Sequence, residues 1–406
     1  MISEAIVTKS ALPITAIQQT ALIAVMVAAL TEALTVAFNI GAIITHFGAS
    51  GAEAGFVATM QGLCVALAAL TGTRLVTRYS ARTLAATGLV LVAAGHSLSL
   101  LATSIVMMAA CQALGGLGTG IVVCVVMATA ARTKKPEMTY GWINASVGAS
   151  LSVLALVVPS VLQWGGFTAA YGFYAVLAVA GLACVPLVPD SRAPSISKAM
   201  LGTAAGGFET AQPVRMVGLI ALIGTGIFYF AISGMGAFIV RIGVGGEVAL
   251  KTVGFALFVG GLLTIIGPIA AGYVGARFGC TRPLVLVGGI MCAAAFGLSI
   301  SGNALSYLVS VPLWVVMPAI ITPSFLGGLA VIDPSGRLNG AQPAFATLGG
   351  SMGPMTAGAV VDASGFAILG WLTIAALLTA LSLMATATLK ADGMKQRLLS
   401  KPFFRA

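Results

Sequence analysis

The sequence predicts an all-α polytopic membrane protein with twelve transmembrane helices in two pseudo-symmetric bundles of six. Three observations predict it. Of 406 residues, 59% are hydrophobic and only 7% charged, against about 25% charged in a soluble domain. The mean hydropathy is +1.07. The apolar residues fall into twelve runs, each close to the roughly 20 residues needed to cross hydrocarbon. The basic residues sit in alternate loops between those runs, on one side, as the positive-inside rule demands. This composition excludes a soluble enzyme, a nucleic-acid module and a disordered chain.

The first six runs lie near 17–43, 53–73, 83–103, 106–130, 142–163 and 168–188. The second six lie near 214–240, 250–274, 283–302, 305–330, 340–361 and 366–389. The sequence therefore divides into a six-helix bundle over 1–188, a cytoplasmic linker over 189–213, a second bundle over 214–390 and a basic cytoplasmic tail over 391–406. The linker is rich in Ser, Gly, Ala and Pro. An even number of spans puts both termini on one side. With that side cytoplasmic, eighteen of the twenty basic residues fall inside, and only Arg241 and Lys251 fall outside. A miscounted span would scramble this pattern.

The net charge of +10 is spread over short clusters between apolar runs, which suits a bilayer surface and not nucleic acid. The six cysteines are scattered without CxxC or metal-ligand spacing, so neither a disulfide nor a metal site is expected. Residues 1–15 lack the basic start, apolar core and small-residue cleavage site of a signal peptide. The glycine-rich runs have neither a Walker lysine nor a strand context, which argues against ATP-driven work. An intramembrane enzyme would need several facing His, Glu, Ser or Asp side chains, and two histidines with one core carboxylate do not supply them.

The halves repeat. Arg78 closes span 2 and Arg277 closes span 8, 199 positions on; Gly166-Phe167 follows span 5 and Gly365-Phe366 follows span 11, again 199 positions on. Two landmarks with one offset mark a parallel duplication, a pattern of transporters with a midplane site.

The motifs extend this reading. The segment Thr73 to Arg82 reads Thr-Arg-Leu-Val-Thr-Arg-Tyr-Ser-Ala-Arg, and it resembles the loop motif G-x-L-x-D-R-x-G-R-R of the major facilitator superfamily. The acidic position is Thr77 and the second glycine is Ser80. The second-half copy runs from Gly272 to Gly279 and on to Arg282, with Ala276 at the acidic position. Span 4 carries Gln112-Ala113-Leu114-Gly115-Gly116-Leu117-Gly118-Thr119-Gly120, similar to the family's R-x-x-Q-G-x-G-x-G with Gln112 in place of the arginine. Span 11 carries Gly349-Gly350-Ser351-Met352-Gly353-Pro354, similar to its G-x-x-x-G-P; span 5 keeps only Pro159. The resemblance covers nearly the whole chain. It implies secondary transport by alternating access, no cofactor, a monomer, and a small organic solute and protons as partners. It also implies that Arg74, Arg78, Arg82, Arg277 and Arg282 gate the cytoplasmic helix ends, where basic side chains can meet C-terminal carbonyls. The family's twelve-span drug:proton antiporter branch has an acid in span 1, as here.

That acid is Glu32, the one carboxylate well inside a run. An ionisable group at this depth is a functional candidate by default. Asn39 and His46 follow at intervals of seven, nearly two helical turns, so the three share a face, with Thr35 beside it. A carboxyl out of water disfavours its charged form, so such a group can load and release protons near neutral pH. The competing reading is a neutral Glu bonded to a neighbouring helix. Gln61, His96, Gln112, Asn144 and Tyr229, the last sharing a face with Thr225 and Ser233, either line a solute path or bond across helices. His96 is a proton relay or a structural donor to a backbone carbonyl. Trp314 either stacks on solute or fills space. Span 10 is punctuated by Pro312, Pro318 and Pro323, and with Gly353 and Pro354 it is a hinge candidate or a static kink.

All twenty basic residues sit at or beyond span ends, so no buried cation awaits an anionic solute. This favours proton-coupled efflux of neutral, lipophilic or cationic solutes. Proton-linked uptake of a small organic nutrient is the alternative, and a non-transporting receptor or scaffold is the alternative of another class. The expected location is a bacterial inner membrane with both termini cytoplasmic.

Overall fold

The computed structural model describes residues 14–190, 212–300, 304–333 and 336–399. The linker expected at 189–213 lies almost wholly outside the described residues, as do residues 400–406 of the tail. Among the described residues every regular element is helical. The chain forms two compact units, Met1–Ile196 and Ser197–Ala406.

The first unit opens with α1, Ala16–Leu34, started by a capping box in which Thr15 Oγ1 accepts from the Gln18 amide and Gln18 accepts from the Thr15 amide. The first apolar run does not form one helix. At Thr35 the backbone turns to φ −112° and ψ 15°, and α2, Val36–Phe47, begins. The Thr35 hydroxyl lies within 3.1 Å of the Thr31 and Glu32 carbonyls and its amide bonds Glu32 O, so this turn tightens from the i−4 to the i−3 pattern. Hydropathy cannot register such a break, because Thr35 is flanked by apolar residues on both sides.

Next come α3, Gly51–Arg78, with a second capping box from Ser50 and Glu53; α4, Ala81–Ser99, capped by Ser80; and α5, Ile105–Ala130, capped by Ser104. The last helix of the unit, α6, Pro136–Cys184, runs over 49 residues. Straight, it would reach about 74 Å at 1.5 Å per residue, far beyond a hydrocarbon core of about 30 Å. It is two arms that meet at Gly165 and Gly166, where Gly166 takes φ +58°. The core joins α1, α4, α5 and α6 around Leu22, Val25, Leu89, Val122, Val126 and Ala178.

The second unit repeats this order. It holds α7, Gln212–Gly245; α8, Leu250–Phe278; α9, Thr281–Ser299; α10, Ala304–Ile332; and α11, Arg337–Leu399. The 63 residues of α11 likewise divide into two arms, at Gly365 with φ +79°. The glycines found 199 apart are therefore the two points where a long helix reverses, and both adopt the left-handed backbone that suits glycine. Ten helices among the described residues are long and apolar enough to cross a membrane. With α6 and α11 each broken once, they give six membrane-length arms per unit. The final arm continues past Lys390 to Leu399, so the first residues of the expected tail are helix.

Pro312, Pro318 and Pro323 sit inside α10 without dividing it. Each removes an N–H from the ladder. The Thr322 hydroxyl donates to Pro318 O at 2.8 Å, so Tyr229 on α7 must be the donor in its 3.1 Å bond to Thr322. Tyr229 thereby ties α7 to the proline-rich stretch.

Candidate functional site

Glu32 is 3% exposed, at the last turn of α1. Two amides converge on its carboxylate. Asn39 Nδ2, from α2, donates to Oε1 at 3.1 Å, and Gln61 Nε2, from α3, donates to Oε2. Tyr174, on the second arm of α6, donates to Asn39 Oδ1 at 2.8 Å, and its oxygen lies 2.9 Å from Thr35 Oγ1. The break at Thr35 is part of this geometry. It places Asn39 where one amide nitrogen also reaches Glu32 O at 3.2 Å and Thr35 Oγ1 at 3.3 Å. Three further contacts set the surrounding helices. Thr119 on α5 donates to Ala29 O on α1 at 2.9 Å. Gly116 lets α5 close on α3, since a Cβ there would strike Gln61 O. Gly181 on α6 faces Ala28, where a Cβ would lie 2.6 Å away.

The cluster can accommodate either state of its carboxyl. An amide presents an NH2 or, after a flip, a C=O. Gln61 can donate to a carboxylate and can accept from a carboxylic acid without moving its backbone. Every member is buried and makes at least one hydrogen bond, so the carboxyl is not a lone charge in an apolar bundle.

Of the sequence candidates, the structure brings Glu32, Thr35, Asn39 and Gln61 together. His46 does not join them. It sits exposed at the end of α2, stacked on Phe167 at 4.3 Å between ring centroids. Gln112 is buried on α5 and donates to Ser99 Oγ at 2.9 Å. His96 is buried one turn away, and its Nδ1 has no partner among the described residues, so that nitrogen makes no bond to a backbone carbonyl. Asn144 is exposed. Tyr174 is the member that sequence reading missed. Its one available signal was the pair Tyr171 and Tyr174, one turn apart in an apolar arm.

In the second unit, Thr225 Oγ1 donates within its own helix to Ala221 O at 3.1 Å, and Ser233 Oγ donates to Gly350 O on α11. Trp314 is 3% exposed, inside the unit beside Gly236. Gly353 packs against Phe230 O and Ser233, and Pro354 follows it, buried, in the first arm of α11. Among the described residues no three His, Cys, Asp or Glu side chains gather as a metal site would require.

The loop arginines differ in what they touch. Arg74, Arg78 and Arg282 are exposed, and the side chain of Arg277 lies outside the described residues. Arg82 Nε donates to Val188 O at 2.7 Å, so the start of α4 is fastened to the chain just beyond α6. The second unit achieves the same fastening with the opposite charge. Asp392, near the end of α11, accepts from the Cys280 and Thr281 amides at 2.9 and 3.0 Å, at the start of α9. The carboxylate missing from the motif at Ala276 has its counterpart more than a hundred residues on. Gly279, at φ +81°, leaves room for it, since a Cβ there would lie 2.9 Å from Asp392 Oδ1. Asp392→Ala is expected to cost about 1.5–3 kcal/mol, the worth of charge-assisted bonds at a helix N-terminus. Asp392→Asn should keep part of it. Thermal melting of the detergent-purified protein measures both, and an unchanged melting temperature for Asp392→Ala would dismiss the fastening.

Comparison with known proteins agrees with this architecture. The nucleoside transporter NupG superposes with a TM-score of 0.74 at 11% identity, over 92% of this chain and 99% of that one. A mutant of the peptide transporter POT gives 0.70 at 16% identity, over 93% and 95%. At such identities the likeness is one of fold. None of the curated proteins compared with the chain matches it. The family model described as Major Facilitator Superfamily matches residues 20–335, nearly four-fifths of the sequence. A membrane transporter rather than an enzyme, the chain belongs to the Major Facilitator Superfamily.

Proposed function

We propose that the protein is a proton-coupled exporter of small neutral, lipophilic or cationic organic solutes, with Glu32 as the proton carrier. The observation that carries the reading is the Glu32 cluster. One membrane-depth carboxyl is held by two amides, one of which can reverse its polarity when the carboxyl gains or loses a proton. Alternating access would turn on the two six-helix units, with Arg74, Arg78, Arg82, Arg277 and Arg282 gating the cytoplasmic turns. Pro312, Pro318, Pro323, Gly353 and Pro354 would supply the bending. Tyr229, Trp314 and Gln112 are the side chains proposed to meet solute. The proposed setting is an inner membrane, with both termini cytoplasmic and the protein acting as a monomer.

The second reading is proton-linked uptake of a small organic nutrient. The amide-rich character of the buried network, with Asn39, Gln61 and Gln112, favours it, because amides recognise polar groups.

Purified protein in liposomes under an imposed pH gradient separates the two readings. Ethidium, a lipophilic cation, should move against the proton flow in the export reading, and a panel of nucleosides and small peptides should move with it in the uptake reading. A protein that moves none of these and is not thermally stabilised by any compound of a broad library would instead be a receptor or scaffold.

A further inference from the structure

The first unit buries polar atoms that the Glu32 cluster does not use. His96 on α4 is 2% exposed and Tyr171 on α6 is 0% exposed. Neither His96 Nδ1 nor Tyr171 Oη has a hydrogen-bond partner among the described residues. A buried polar atom left unpaired carries its full desolvation penalty, and two such atoms on neighbouring rings can share one partner. They are neighbours: the two rings lie 6.1 Å apart between centroids. The Tyr174 ring completes a triangle, 5.8 Å from His96 and 5.7 Å from Tyr171. Tyr174 is also the far end of the Glu32 cluster, through its bond to Asn39. Water bridges polar atoms on the order of 5 Å apart, and buried water characteristically serves groups that protein atoms leave unmet.

We propose that water bonded to His96 Nδ1 and Tyr171 Oη, at the edges of these packed rings, extends the Glu32 cluster into a proton path. The inference rests on Glu32 being the proton carrier. The titratable side chains beside His96 are Tyr171 and Tyr174 from α6, and Tyr174 leads through Asn39 to Glu32 on α1. Beyond the triangle, Tyr171 packs on Phe167 at 4.5 Å, and Phe167 stacks on the exposed His46 at 4.3 Å. Phe167 carries no proton and lies between Tyr171 and the His46 end of the unit.

Two measurements on the full-length protein test this. The first is the sign of a melting-temperature change. If Tyr171 Oη holds water, Tyr171→Phe lowers the melting temperature by about 2–4 °C, the scale of one buried hydrogen bond in a unit of this size. If the hydroxyl is simply unmet, its removal leaves the temperature unchanged or raises it. The second is deuterium exchange of the Glu32 carboxyl, followed by infrared spectroscopy after transfer to heavy water, with the band identified by its loss in Glu32→Gln. Tyr171→Phe and His96→Leu should slow exchange by on the order of 100-fold, the low end for a positioned proton-transfer group. Tyr140→Phe, which loses a hydroxyl bonded to Met127 O, should leave the rate unchanged. An unchanged or raised melting temperature in Tyr171→Phe, or an unchanged exchange rate in both variants, overturns the proposal. Absence of a Glu32 band in the wild type at every pH tested defeats the proton-carrier reading instead, and the melting result still decides the water.

Discussion

Glu32→Gln is expected to leave a folded, membrane-inserted protein whose transport no longer responds to a pH gradient. Gln has the shape of Glu and keeps an acceptor oxygen for Asn39 at 3.1 Å. Its new NH2 would face the amide of Gln61, and a flip of Gln61 restores a donor–acceptor pair. The cluster therefore re-forms without a group that can carry a proton. Gradient-driven flux should fall by on the order of 100-fold or more, the scale of losing a positioned proton-transfer group. Exchange of labelled for unlabelled solute at equal pH should persist. Glu32→Ala is expected to behave differently, because it strands the Asn39 and Gln61 donors in a buried site. Each unmet donor costs about 1–3 kcal/mol, so this variant should melt early and express poorly. Flux in proteoliposomes and melting in detergent separate the two effects. Gradient-driven flux in Glu32→Gln with the pH dependence of the wild type would end the coupling role.

The sequence made the architecture legible because membrane folding is governed by a few strong terms. Apolar length, basic alternation and the 199-residue offset all report one six-plus-six arrangement. Where the offset landed was physically meaningful, since Gly166 and Gly365 are the left-handed residues at which α6 and α11 reverse. The break at Thr35 was invisible because it is made by hydroxyl-to-carbonyl bonds, which leave no mark on hydropathy. The site was half legible. Glu32 and Asn39 lie nearly two turns apart in one apolar run, so local periodicity paired them even though the helix breaks between them at Thr35. Gln61 and Tyr174 reach the cluster from other helices, at separations of 29 residues from Glu32 and 135 from Asn39. A single sequence carries no pairing information at such distances. Asp392 was hidden for the same reason. It lies in a stretch that reads as a charged tail, and only the fold returns it to the turn at Cys280 and Thr281.

Gly116→Leu should damage both the fold and the site, for a single reason. Gly116 and Gly120 present the flat side of α5 to α3. A Cβ at Gly116 would strike Gln61 O and come within 3.2 Å of Cys64 Cβ; one at Gly120 would strike Val65 O and come within 2.7 Å of Ala68 Cβ. Backbone atoms cannot rotate out of the way, so α3 has to move, and Gln61 moves with it. The expected cost of the overpacking is about 1–3 kcal/mol for a side chain of this size, or more where the backbone must shift. The Gln61–Glu32 bond is lost in addition, which leaves a buried carboxylate short of a donor. Gly116→Ala should show the same two effects at smaller amplitude. Gly41→Ala supplies the contrast. Gly41 lies in α2, and a Cβ there would meet nothing within 4 Å, so alanine should be neutral or stabilise the helix by up to about 1 kcal/mol. Melting temperature and gradient-driven flux should both rank Gly41→Ala and wild type above Gly116→Ala, and Gly116→Ala above Gly116→Leu. If Gly116→Leu melts like the wild type, α3 and α5 are not held together at Gln61. If it melts early yet keeps full gradient-driven flux, the seam is structural alone and Gln61 has no part in loading the proton.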